Sequence, residues 1–145
     1  MSDQNFTTSF TVDQSPEQVF AAINDVRAWW EGDTTGDTDR LGGEFTYRYQ
    51  DMHTSTQQIT QFVPGQKIVW HVVDASLNFV QDKTEWTSTD IVFDITARGD
   101  QTEVRFTHVG LVNSVECFND CSGAWTYYIT NSLQAFIKSS QPVPA

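Results

Sequence analysis

The stretch Asp120 to Ser140, DCSGAWTYYITNSLQAFIKSS, most constrains the fold of this chain. Trp125, Ile129, Leu133, Phe136 and Ile137 recur at spacings of three and four, with Cys121 and Tyr128 on a neighbouring line. That pattern is one apolar stripe on an α-helix. Thr126, Thr130, Asn131, Gln134 and Lys138 take the other side, and Pro142 stops the helix. So long a stripe needs a partner surface. Nearly everything before it reads as strand, so the partner is a sheet.

Phe6, Thr8, Phe10 and Val12 alternate with Thr7, Ser9 and Thr11, which predicts a strand. Ser15-Pro16-Glu17-Gln18 is a capping box with Pro at the first helical position, and Val19, Phe20, Ile23 and Val26 follow at helical spacing. A helix over 16–24 is expected, with a short helical turn at Arg27-Ala28-Trp29-Trp30. Gly32, Gly36 and Gly42-Gly43 make the next segment a loop. Asp33, Asp37 and Asp39 lack the spacing of a calcium loop and read as solvated.

From Glu44 the period of two returns through Phe45, Tyr47 and Tyr49, and a strand follows at 55–62. Ile59 and Phe62 fall on opposite faces of that strand unless a bulge intervenes. Pro64-Gly65 marks a turn. Ile68, Trp70 and Val72 line one face of the next strand, and Leu77 to Val80 suggest a short one. Ile91, Phe93 and Ile95 form a hairpin with Val104, Phe106 and His108 through Arg98-Gly99-Asp100-Gln101. Strands joined by short turns favour an antiparallel sheet. The expected fold is α+β: a curved antiparallel sheet of about six or seven strands around the long C-terminal helix. One or two short helices follow the first strand, and residues 1–145 form a single domain.

The net charge of −11 disfavours nucleic acid and anionic membrane as partners. The N-terminus has neither a basic start nor an apolar run, and no segment approaches the ~20 apolar residues of a membrane span. A cytoplasmic location follows as an expectation, in which Cys117 and Cys121 stay reduced. Two cysteines four apart on one helix face have parallel Cβ vectors, a poor start for a disulfide. Free thiols, no metal and no cofactor are therefore expected.

Ser15 to Phe20, Trp29-Trp30, Gly42-Gly43-Glu44-Phe45, Thr102 to His108, and Trp125 with Leu133 together resemble the START/Bet v 1-like (SRPBCC) superfamily. The branch they resemble is that of the C-terminal domain of the heat-shock-chaperone ATPase activator. The resemblance covers nearly the whole chain. It implies the helix-grip fold, with a cavity between sheet and helix. Relatives bind lipids, sterols and other apolar molecules there, and some are polyketide cyclases or aromatases.

Aromatic residues make up 13% of the chain, more than a core of this size needs, which points the same way. Phe45, Tyr47, Trp70, Phe93, Phe106 and His108 share the inward parity of their strands, and Trp125, Tyr128 and Leu133 come from the helix. Trp29 and Trp30 would either close one end of the core or cap the cavity mouth and stack on a ligand. The leading expectation is a binder of a small apolar or aromatic, lipid-like molecule without chemistry of its own. An enzyme of cyclase or aromatase type, with His108 and Tyr47 or Tyr128 carrying protons, is the first alternative. A co-chaperone-like module with a chaperone or other protein partner is the second. Arg48 and Arg105, on the polar parity, suit surface ion pairs better than a ligand carboxylate. Monomer and dimer are both compatible with the sequence.

Overall fold

The computed structural model describes residues 5–30, 32–50, 52–77, 86–111 and 118–140. The order is β1 (Phe6–Val12), α1 (Pro16–Asn24), α2 (Val26–Trp29), β2 (Asp33–Gly36), β3 (Glu44–Tyr49), β4 (His53–Val63), β5 (Lys67–Leu77), β6 (Asp90–Arg98) and β7 (Gln101–Val109). A C-terminal helix closes it in three parts: α3 (Phe118–Thr126), a π-helical segment (Tyr127–Leu133) and α4 (Gln134–Lys138). The strands form one curved, unclosed sheet in the order β1-β7-β6-β5-β4-β3-β2. Every neighbouring pair is antiparallel.

Local chemistry sets the entry into the helical layer. The Ser15 hydroxyl accepts from the Gln18 amide, and the Gln18 side chain accepts from the Ser15 amide. Pro16 loses nothing there, because a first-turn N–H has no intrahelical partner. Val19, Phe20, Ile23 and Val26 then bury the inner face of α1 and the start of α2.

Strand β4 settles the parity of Ile59 and Phe62. The β4–β5 register shifts between Thr56 and Gln57 and again between Ile59 and Gln61. The second shift leaves Ile59 fully buried opposite Trp70, while Phe62 packs edge-on against Phe20 of α1 at 4.8 Å. Segment 33–36 is a strand where the sequence reads as loop. Its pairing with β3 is a backbone affair, and Gly36, at φ +111, brings the chain so close to Glu44 and Phe45 that a Cβ would collide. The β6–β7 hairpin turns on Gly99 and Asp100, with Gly99 at φ +63 as such a tight turn requires. Leu77 ends β5, while 78–80 lie outside the described residues.

The C-terminal helix is helical as expected, but not α-helical throughout. Its buried residues Cys121, Trp125, Ile129, Leu133 and Ile137 are spaced by four. At 3.6 residues per turn each such step overshoots by about 40°, so the stripe would wind off the sheet within a few turns. The wider turn of the π segment takes up this drift and keeps the stripe straight. Ser132 of that segment donates to the Trp29 carbonyl (2.5 Å), tying the helix to α2.

Candidate functional site

At one end of the molecule the concave face of the sheet and the helix do not close on each other. The space between them is about 400 Å³. Trp30 enters from the end of α2, Tyr47 and Tyr49 from β3, Met52 and His53 from the β3–β4 turn and β4, and Trp86 from the turn before β6. Cys121, Ala124, Trp125 and Tyr128 close it from the helix. No Lys, Arg, Asp or Glu lines it among the described residues.

Ring packing holds the wall in place. Trp30 lies flat on Tyr47 with centroids 3.6 Å apart and planes 7° from parallel. Behind it Trp29 and Trp70 lie near-parallel at 6.2 and 6.0 Å from Trp30. Trp125 tilts against Trp30 at 5.1 Å and stacks on Trp86 at 5.6 Å. The cavity thus opens onto the end of a continuous tryptophan cluster. Trp29 is anchored in that cluster by its indole N–H, which donates to Ile23 O (3.1 Å).

His108 explains how the two outer indoles keep their positions. The Trp125 indole can only donate, so His108 Nδ1 accepts from it (3.0 Å) and the imidazole proton sits on Nε2. Nε2 then donates to Thr89 Oγ1 (2.8 Å), which donates to Trp86 O (2.5 Å). One buried, fully satisfied chain joins helix, sheet and turn. Burial first, and His53 second, lower the His108 pKa to about 3, so the ring is neutral as this chain requires.

His53 faces the cavity itself. Its ring stands edge-on to Trp86 (4.6 Å), Tyr47 (5.2 Å) and Trp30 (6.1 Å). Desolvation lowers its pKa to about 4. Its Nε2 bonds Ser55 Oγ at 2.9 Å, and the Gln57 amide donates to the same oxygen at 2.5 Å. His53, Ser55 and Gln57 share one parity of β4 and form a polar line running from the cavity into the core.

The residues expected at the site separate into two layers. Trp30, Tyr47, Trp125 and Tyr128 line the cavity. Trp29, Phe45, Trp70, Phe93, Phe106, His108 and Leu133 do point inward, but they are buried against one another behind it. Rings of that size on neighbouring strands fill the centre of the sheet and leave space only at its end. Reasoning from the sequence missed Tyr49, Met52, His53, Trp86, Cys121 and Ala124. Tyr49 shares the parity of Phe45 and Tyr47 and could have been found, and His53 precedes Ser55 and Gln57 at inward parity, where polar residues hide the face. Trp86 lies in an irregular stretch with no periodic signal. Arg48 donates to Gln50 O (3.0 Å), Arg105 is exposed, and neither lines the cavity.

The free-thiol expectation is corrected for Cys121, which is disulfide-bonded and buried in the cavity wall. The geometric objection holds only for a pair carried on one unbent helix face. Cys117 lies outside the described residues. Among the described residues no helix is long and apolar enough to cross a membrane, and no group of three or more His, Cys, Asp or Glu could hold a metal ion.

Residues 13–138 match the family model described as "Activator of Hsp90 ATPase homolog 1-like protein". The chain belongs to this family. The fold agrees, placing this Aha1-like chain in the START/Bet v 1-like superfamily. The solution structure of the Aha1 dimer from Colwellia psychrerythraea superposes with a TM-score of 0.74 at 20% identity, over 95% of this chain and 99% of that one. A crystal structure from Mesorhizobium loti gives 0.77 at 12% identity, over 95% and 99%. A protein of the dynemicin biosynthetic locus gives 0.69 at 12% identity, over 97% of this chain and 49% of that one. No curated protein sequence matches the chain significantly.

Proposed function

We propose that this Aha1-like chain binds a small apolar or aromatic molecule in the cavity between sheet and helix. The observation that carries the reading is the cavity wall: about 400 Å³ of space bounded by three indoles and three tyrosines, with no charged side chain among its described residues. The volume lies in the range of small-molecule sites, which are mostly apolar with few polar groups. Stacking on Trp30, Trp86 or Trp125 would recognise a flat, uncharged ring system. The family model and the fold support the reading, since START-like folds commonly hold hydrophobic ligands.

Ala124 gives a clean test. It is exposed on α3 at the rim of the cavity, so Ala124→Trp fills the opening without touching the core. Titration with flavonoids, sterols, fatty acids and aromatic polyketide-like compounds should shift tryptophan emission in the native protein. The shift should weaken at least tenfold in Ala124→Trp at unchanged thermal stability. If no class of compound shifts the emission, or if the blocked variant binds equally well, the reading fails.

A further inference from the structure

The cavity's chemistry narrows the ligand further, and this step rests on the binding function proposed above. Gln57 is fully buried, with its amide nitrogen on Ser55 Oγ (2.5 Å) and its Oε1 unpartnered. That orientation is the cheaper one, because the flipped amide would place two donors where one acceptor now lacks a partner. Ser55 Oγ therefore accepts from Gln57. Ser55 Oγ could also accept from Nε2, but its own buried proton has no acceptor other than His53 Nε2, at 2.9 Å, among the described residues. The arrangement that leaves no Ser55 proton unpaired therefore has Ser55 donating to Nε2. Since Nε2 accepts, the neutral His53 ring carries its proton on Nδ1, and Nδ1 makes no hydrogen bond among the described residues. The line Gln57→Ser55→His53 thus pre-sets an N–H donor on a ring that lines the cavity.

We infer that the ligand is an uncharged, flat molecule bearing a carbonyl-type oxygen, with His53 as its specificity-determining donor and Ser55 and Gln57 as positioning residues. A carboxylate is disfavoured by the same geometry. It would lose its hydration in a cavity whose described lining offers no cation, in a protein of net charge −11. A plain hydrocarbon would fit, but would leave the imidazole N–H unpaired on desolvation.

Three probes of one shape separate these cases: 2-acetylnaphthalene, 2-ethylnaphthalene and 2-naphthoate, titrated at pH 7.5 against the full chain. One added hydrogen bond corresponds to about five- to tenfold in affinity, so the ketone should bind that much more tightly than the hydrocarbon, and the carboxylate most weakly. His53→Phe should equalise ketone and hydrocarbon while leaving the hydrocarbon's affinity within about threefold. Long-range nitrogen–proton NMR of the labelled native protein should show His53 protonated on Nδ1, and Ser55→Ala should mix the two tautomers. An Nε2–H tautomer in the native protein overturns the inference without any variant. So does equal binding of ketone and hydrocarbon, a preference that survives His53→Phe, or tightest binding of the naphthoate. None of those outcomes touches the broader function, which stands as long as any probe or any compound of the ligand panel binds. Failure of all three probes, together with the ligand panel above, removes both.

Discussion

Replacing His108 by Leu tests the hydrogen-bond chain that holds the cavity wall, and its consequences depend on pH. Leu is apolar and can occupy the buried space, but it accepts nothing from Trp125 and donates nothing to Thr89. The Trp125 indole N–H, in a residue 2% exposed, is left without a partner, at a cost of about 1–3 kcal/mol. Thr89 keeps its bond to Trp86 O and loses the one from His108, about 1 kcal/mol more. Stability at pH 7 should therefore fall by about 2–4 kcal/mol. The pH dependence has a definite sign. The native His108 pKa is lowered to about 3, against 6.5 unfolded, so between these values the unfolded chain binds one proton that the native protein refuses. The native protein accordingly loses stability as pH falls, by about 1.4 kcal/mol per unit once below 6.5. Between pH 7 and pH 5 that amounts to about 2 kcal/mol, which His108→Leu no longer suffers. The gap between the two proteins should thus narrow by about 2 kcal/mol over this interval. His53 titrates in both proteins and largely cancels from the difference. Urea unfolding followed by tryptophan emission at several pH values measures it. A gap that stays constant or widens on acidification refutes the reasoning, as does a variant within 0.5 kcal/mol of the native protein at pH 7.

Two further predictions concern the helix beside the cavity. Gly123 lies inside α3, and a Cβ added there would meet nothing within 4 Å, so Gly123→Ala should raise stability by about 0.5–1 kcal/mol in the same urea assay; a loss would mean that this turn needs glycine's freedom. Without reductant, Cys121 should resist alkylation in both the native and the urea-unfolded protein and become reactive only after reduction; peptide mapping that finds Cys121 alkylated without reductant would count against the bond.

How much could be read in advance follows from the range of each interaction. The capping box, the helix over 16–24, the first strand and the Gly99 hairpin are local matters, decided by residues within a few positions of one another, and they were legible. The apolar stripe near the C-terminus and the alternation in β3, β5, β6 and β7 determined the architecture, because a helix face and a sheet face of that size can only bury each other. Tertiary structure alone decided the rest. Strand β2 exists because β3 offers it a backbone edge, which no periodicity in Asp33–Gly36 announces. The parity of β4 depends on two register shifts against β5. The four-residue spacing of the helix stripe was in the sequence, but only the sheet beneath it required the π segment that keeps that stripe straight. Inward parity, finally, identifies which side chains face the middle of the fold, but not which of them meet one another and which meet empty space. Trp70, Phe93 and Phe106 fill the centre of the sheet. Trp30, Tyr47 and Trp125, no different in kind, border the opening, because which rings meet is decided by the docking of elements far apart in the sequence.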